Sequence, residues 1–268
     1  MLRVGQIPYL NSEPFYFGLA ASGGSNVELH PLVPRAMGQL AAQGALDAGL
    51  FSLMDSVRLE DRFEPLGDFC IACDGEVQSV LFFARRPIEE MAGATVAVTG
   101  ETATSVVLLK LLLASRYRLR GVRYMDMGSG EPADGCLLIG DEALRRRHGI
   151  EGPDGRSLPH RYDLAEEWSA WQGLPFVFAR WMVRAAADQA EKSALRDALA
   201  RRLRANLANL DAIGRVRRDL GMTVAEIKTY LQGFSFELGE GERRGMETFL
   251  RLSRPLVAEE ESAHASGG

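Results

Sequence analysis

The sequence predicts an α/β protein of two lobes, and two observations carry that prediction. From Leu2 to Leu59, short apolar strands alternate with amphipathic helical stretches, a rhythm that implies parallel strands with right-handed crossovers. At Arg85-Arg86-Pro87 the rhythm restarts, and beyond Val183 the chain turns mostly helical. The block from Pro87 to Arg180 thus reads as a complete α/β unit inserted into another. The expected lobes are residues 1–86 with 182–268, a discontinuous first lobe, and 87–181, the second; residues 259–268 read as a disordered tail. Two crossovers between such lobes would leave a central cleft, a common place for ligands.

Taken in order, Leu2 to Val4 is a short buried strand and Phe15 to Leu19 opens a helical stretch. Pro14 suits a first helical position, with Glu13 as the capping residue, which would leave Asn11 and Ser12 in a strand-to-helix loop. Alternatively, Asn11 or Ser12 is itself the cap. Ser22 to Asn26 is a flexible turn, Val27 to Val33 a strand, and Pro34 starts a helix with Met37, Leu40 and Ala41 on one face. Ala45 to Phe51 is a strand containing Asp47, and Ser52 to Leu59 a short helix. Phe63 to Ala72 is a strand, Asp74-Gly75 a turn, and Gln78 to Ala84 a strand with Ser79 near its start. In the inserted block come a short helix at Ile88 to Met91, strand Thr95 to Val98 and a long helix from Thr102 to about Arg116. Strands Val122 to Met125 and Cys136 to Ile139 follow, with a helix begun by Gly140-Asp141 and a long polar loop from Gly149 to Pro159. Phe176 to Val183 is apolar except for Arg180. Helices at Ala185 to Leu210, Thr223 to Leu231 and Glu242 to Leu252 complete the chain, with an extended piece at Phe234 to Leu238.

At 268 residues, 46% hydrophobic and 25% charged, the composition is that of an ordinary soluble globular protein. A net charge of −5 gives no electrostatic reason to expect nucleic acid or an anionic membrane as partner. Arg145-Arg146-Arg147 and Arg201-Arg202 sit in helices diluted by acids and read as solvated faces. No charged region followed by a long apolar run opens the chain, and Val106 to Ala114 is too short to span a bilayer, so the expected location is the cytoplasm. Nothing is predicted about oligomeric state.

Cys70-Ile-Ala-Cys73 matches C-x-x-C, but it lies in a strand, not at the strand-to-helix turn of a redox pair, and no second pair or histidine cluster completes a zinc shell. His30, His148, His160 and His264 are scattered, without metal-ligand spacing or a nucleophile's partners. There is neither a P-loop nor G-x-G-x-x-G, so no metal and no nucleotide or flavin cofactor is expected. An enzyme of this composition would act by positioning and electrostatics on a substrate that is already reactive. Three strand-to-helix junctions could hold such a substrate: Asn11-Ser12, Thr102 to Ser105, and Gly140-Asp141. Hydroxyls and free amides on the first turn at Thr102 to Ser105 suit a carboxylate, and Asp141 reads first as a cap.

Tyr9-Leu-Asn11, Asp74-Gly75 with Gln78-Ser79-Val80, Thr104-Ser105-Val106, Leu138-Ile-Gly-Asp141 and Gly173-Leu-Pro-Phe-Val-Phe-Ala179 together resemble the chorismate dehydratase family of the futalosine route to menaquinone. The segments occur in the family's order along most of the chain. The resemblance implies a two-lobed periplasmic-binding-protein type II fold and cofactor-free loss of water from chorismate, giving 3-[(1-carboxyvinyl)oxy]benzoate. It implies Asn11 and Ser79 as the catalytic residues and Tyr9, Ser12, Thr102, Thr104, Ser105, Gly140 and Asp141 as substrate-binding. The proton acceptor it implies is the substrate's own enolpyruvyl carboxylate. Ala103 stands where relatives often carry arginine; Arg180 either compensates or points to solvent from a strand edge. Two rival readings share the fold: 1,4-dihydroxy-6-naphthoate synthase, for which His148 would be the needed histidine, and a binding module that captures a small carboxylate without reacting it.

Overall fold

A computed structural model describes residues 1–19 and 27–266, with side chains through 258. The turn expected at Ser22 to Asn26 lies outside the described residues. In chain order the first elements are β1 (Leu2–Gln6), α1 (Glu13–Tyr16), β2 (Val27–Pro31), α2 (Pro34–Ala42), β3 (Ala48–Ser52), α3 (Leu53–Arg58) and β4 (Phe63–Cys73). Next come β5 (Val80–Ala84), β6 (Thr95–Val98), α4 (Thr104–Leu111), β7 (Arg123–Asp126), β8 (Gly135–Ile139) and α5 (Gly140–Arg145). Then follow β9 (Ile150–Glu151), β10 (Ser157–Leu158), β11 (His160–Asp163), α6 (Leu164–Gln172) and β12 (Phe176–Arg184). The last are α7 (Gln189–Leu207), α8 (Leu210–Val216), α9 (Val224–Gln232), β13 (Phe234–Glu237) and α10 (Glu240–Ser266).

The chain forms two compact units: residues 1–72, 101–103 and 177–238 make the first, and 73–100, 104–176 and 239–268 the second. These boundaries differ from those expected at 86/87 and 181/182. The chain crosses where β4 ends and where β12 begins, and α10 belongs with the inserted unit, not with the unit that holds α7 to α9. Ring packing explains the last point. Phe249 of α10 meets Trp168 and Phe176 edge-on, with centroids 5.9 and 4.9 Å apart, and all three are fully buried. Residues 259–266, expected as a disordered tail, continue α10 as helix.

The first unit is built on a six-stranded sheet in the order β13-β4-β12-β3-β1-β2. β1 runs parallel to β2 and β3, as the strand–helix rhythm implies, whereas β12 is antiparallel to β3. Phe15 fills the core beneath it, edge-on to Phe69, Trp181 and Phe236 at 5.7, 5.8 and 5.7 Å. Arg180 of β12 pairs with Phe51 of β3, and β12 is an interior strand of the sheet, so the strand-edge reading of that arginine is corrected.

The second unit has a five-stranded sheet in the order β11-β5-β8-β6-β7, plus the β9–β10 hairpin inside the loop expected at Gly149 to Pro159. β6 is parallel to β7 and β8, while β5 is antiparallel to both β8 and β11. The helix expected from Thr102 starts at Thr104 and closes with a wider π turn at Leu112–Arg116.

Candidate functional site

In the first unit, Tyr9 to Ser12 follow the carboxyl end of β1, where open α/β sheets present ligand-binding loops. Tyr9 precedes a short 3₁₀ turn of Leu10–Ser12, and α1 begins at Glu13 with Pro14 in its first turn. The turn is held from several sides. The Asn206 carboxamide of α7 donates to the Pro14 and Phe17 carbonyls at 3.0 Å each, satisfying the exposed carbonyl end of a four-residue helix. The Tyr16 hydroxyl donates to the Gly5 carbonyl at 2.9 Å, and Arg217 pairs with Glu13 at 3.1 Å. With Phe15 anchored below, the backbone around Asn11 is fixed by bonds that do not involve the Asn11 side chain. Among the described residues the half-buried Asn11 carboxamide has no hydrogen-bond partner.

Ser12 differs from Asn11 in that its side chain is bonded within the turn. Its side chain is fully buried and bonds to the Ile7 and Tyr9 carbonyls at 2.6 and 2.8 Å. Ser12 holds the N-cap position of α1, the alternative that the sequence left open, although its side chain accepts no cap bond; Glu13 is already helical and is not the cap. The serine shapes the turn. Tyr9 donates its hydroxyl to Glu101 at 2.5 Å, and the Glu101 carbonyl accepts the Arg35 amide at 2.9 Å, which ties the residue before Thr102 to the β1–α1 turn and to α2. Thr102 is buried but lies outside the helix it was expected to begin.

In the second unit, one end of the sheet collects the remaining residues. Val80 of β5 is level with Ile139 of β8, and Val98 of β6 with Leu137. Ser79 therefore enters the sheet where Gly140 leaves it, and the Gly140 amide donates to the Ser79 carbonyl at 2.8 Å. The segment leading to Thr104 and Ser105 departs from the same edge, one strand over. Ser79, Thr104, Ser105 and Asp141 are all buried, with exposures of 0, 1, 4 and 7%. A buried first helical turn bearing two hydroxyls is suited to an anion, because the helix dipole and the hydroxyl donors favour negative charge there.

Two expectations change here. Gly140 adopts φ +59, a left-handed geometry that glycine alone takes up without strain, and its amide is committed to Ser79. It frames the junction and offers no donor to a ligand. Asp141 is not a cap: Ile139 holds the N-cap position, no side-chain cap bond is made, and Asp141 is a buried acid in the first turn of α5.

Asp163 is the residue that sequence reasoning missed. Its Oδ1 caps α6 by accepting the Ala165 and Glu166 amides at 3.1 and 3.3 Å. Its Oδ2 accepts the Val77 and Gln78 amides at 3.0 and 2.5 Å. Burial pushes this carboxyl up to about 6, against the downward pull of the amides it accepts, and nearby Glu76 adds to the rise. The sequence signal was Asp163-Leu-Ala-Glu166 before an apolar stretch, a cap pattern.

The cysteines take no part in this chemistry. All three are free and buried, and burial first, then the charges of Asp163, Asp74 and Glu76, push the Cys73 thiol up to about 12. Among the described residues no group of three or more His, Cys, Asp and Glu side chains could hold a metal ion, and no helix is long and apolar enough to cross a membrane.

Against known proteins, the model of a family described as menaquinone biosynthesis matches residues 2–255. The chain belongs to the menaquinone biosynthesis family. It is 33% identical over 255 residues to the chorismate dehydratase of Thermus thermophilus, covering 90% of this chain and 91% of the relative. It is 26% identical over 271 residues to the 1,4-dihydroxy-6-naphthoate synthase of the same organism, covering 96% of each. A solved Candida albicans structure described as having the generic periplasmic-binding-protein fold matches with a TM-score of 0.64 at 10% identity, over 94% of this chain and 90% of that one. In this member of the menaquinone biosynthesis family the fold is therefore the one expected from the sequence.

Proposed function

We propose that this protein is a chorismate dehydratase, a hydro-lyase that removes water from chorismate to give 3-[(1-carboxyvinyl)oxy]benzoate. The observation that carries the reading is 33% identity to a chorismate dehydratase over 90% of the chain, against 26% to the naphthoate synthase. His148, the histidine that the synthase reading would need, is exposed beyond the end of α5.

Chorismate carries two carboxylates and a cyclohexadiene ring that becomes aromatic when water leaves, so the driving force resides in the substrate. The enzyme has to select the conformer in which a ring C–H faces a base and the hydroxyl is free to depart. In this reading the enolpyruvyl carboxylate takes the ring proton, the C–H electrons complete the aromatic ring as the C–O bond breaks, and that proton passes to the departing hydroxyl, so that water leaves and the carboxylate is regenerated. Asn11 and Ser79 contact the ring and its carboxylates, and Thr104 and Ser105 hold a carboxylate on the first turn of α4. Tyr9, Ser12, Thr102 and Asp141 are the further substrate-binding residues of this reading. Fixing reacting groups in a productive geometry can supply several kcal/mol of the barrier, roughly 7–11 in the best intramolecular cases.

The test is to mix purified protein with chorismate and follow absorbance and product by mass. Loss of chorismate with one aromatic product and one water per turnover supports the reading. Saturable binding with no turnover identifies a carboxylate-binding module instead.

A further inference from the structure

We propose that Asp163 is a positioning residue that sets the Gln78–Ser79 bend for catalysis. The inference rests on the dehydratase reading for the role of Ser79, and on geometry alone for the clamp. An N-cap carboxylate needs one oxygen to satisfy the first turn of its helix. Asp163 uses Oδ1 for that purpose and turns Oδ2 onto two amides some 85 residues earlier, Val77 and Gln78. Val77 and Asp163 are buried at 2% exposure each, so water offers the Val77 amide no alternative acceptor.

The clamped residue has an unusual backbone. Gln78 has φ +60, one of only two non-glycine residues at positive φ among the described residues. Strained backbone of this kind persists only where its surroundings over-determine it, and it gathers at functional sites. Here the surroundings are all within the second unit. Asp163 holds Val77 and Gln78, the Ser79 hydroxyl donates to the Val77 carbonyl at 3.3 Å, and Gly140 holds the Ser79 carbonyl. Further along α6, the Ser169 hydroxyl donates to Asp74 at 2.9 Å, so the same helix grips the loop at both ends. Without Oδ2, Gln78 relaxes to negative φ and turns Ser79 with it.

Asp163→Asn separates the two oxygens. Asparagine is an equally good cap, so its single oxygen stays on α6 and its NH₂ group faces the Val77 and Gln78 amides, donor against donor. In chorismate turnover by the full chain, kcat is expected to fall about 10- to 100-fold with KM changed less than about threefold, because ground-state binding survives while alignment is lost. In Ser79→Ala the added Asp163→Asn substitution is expected to slow turnover no further, since both act through the same bend. A wild-type kcat in Asp163→Asn, or losses that multiply in the double variant, overturns the proposal and leaves the dehydratase reading intact. Native-state hydrogen exchange supplies a readout that needs no substrate. Protection at Val77 and Gln78 is expected to vanish in Asp163→Asn while α6 stays protected. If the variant does not fold, the wild-type chain decides: amides at 77 and 78 as protected as those of β5 support the clamp, and free exchange there overturns it.

Discussion

The Gly140 amide donates to the Ser79 carbonyl at 2.8 Å, which locks the start of β5 to the end of β8. The glycine of a strand-to-helix junction and a serine 61 positions earlier are thus one structural unit. Because Gly140 has φ +59, a Cβ there imposes a strain of roughly 1–2 kcal/mol. Gly140→Ala is expected to lower stability by that amount and to slow turnover by displacing Ser79. Urea unfolding and steady-state rates check both effects; an unchanged rate at reduced stability separates the junction from the reaction.

Asn11 stands on a turn fixed by Phe15, Tyr16, Asn206 and Arg217, none of which needs its side chain. Asn11→Ala is therefore expected to leave the melting temperature within a degree or two while turnover falls about 100- to 1,000-fold, the effect of deleting one preorganised donor. Wild-type rates in that variant remove Asn11 from the mechanism.

The Asp163 carboxyl lies near 6 in the folded chain, above the 3.8 of the free side chain. The folded state therefore binds this proton more tightly than the unfolded state, so its contribution to stability is complete below pH 3.8 and is lost as pH rises through 6. The size of the loss is about 3 kcal/mol. Asp154, drawn down by its hydrogen bond to Arg85, contributes in the opposite sense. So does Asp47, where the bonds from Arg3 outweigh burial. Both are shared by the wild type and Asp163→Asn and cancel between them. Unfolding curves of the two at pH 4, 5, 6 and 7 should diverge by about that amount in the asparagine variant's favour; a constant gap contradicts the assignment.

Gly245 of α10 faces the Pro175 carbonyl, and a Cβ built on it would sit 2.0 Å from that oxygen. Alanine is the better helix former, yet Gly245→Ala is expected to destabilise by roughly 1–3 kcal/mol, because a backbone carbonyl cannot move aside. Phe249→Ala should cost more, about 3–5 kcal/mol, by opening a cavity against Trp168 and Phe176. Calorimetry of both variants checks that α10 supports the inserted unit.

Much of this was legible in the sequence because periodicity and turn residues act locally. The β1-to-α1 loop, the Thr104-Ser105 turn and the Gly140-Asp141 junction all fall at strand ends that hydrophobic pattern marks. Contacts made at long range were not legible. Nothing local tells an apolar run such as Val80 to Ala84 to pair antiparallel with β8. Nothing local shows that Phe249 is buried against Trp168, so α10 was assigned to the wrong unit and its last turns to a tail. Asp163 shows the same limit for a polar residue: its local capping signature marks the α6 cap that Oδ1 makes, while the Val77 and Gln78 amides that Oδ2 accepts lie some 85 residues away.

Turnover of chorismate by the purified wild-type chain bears most directly on what the protein does. Time-resolved absorbance with mass analysis should show chorismate consumed and 3-[(1-carboxyvinyl)oxy]benzoate formed in equal amount with nothing else added. Chorismate that binds and is recovered unchanged would contradict the assignment.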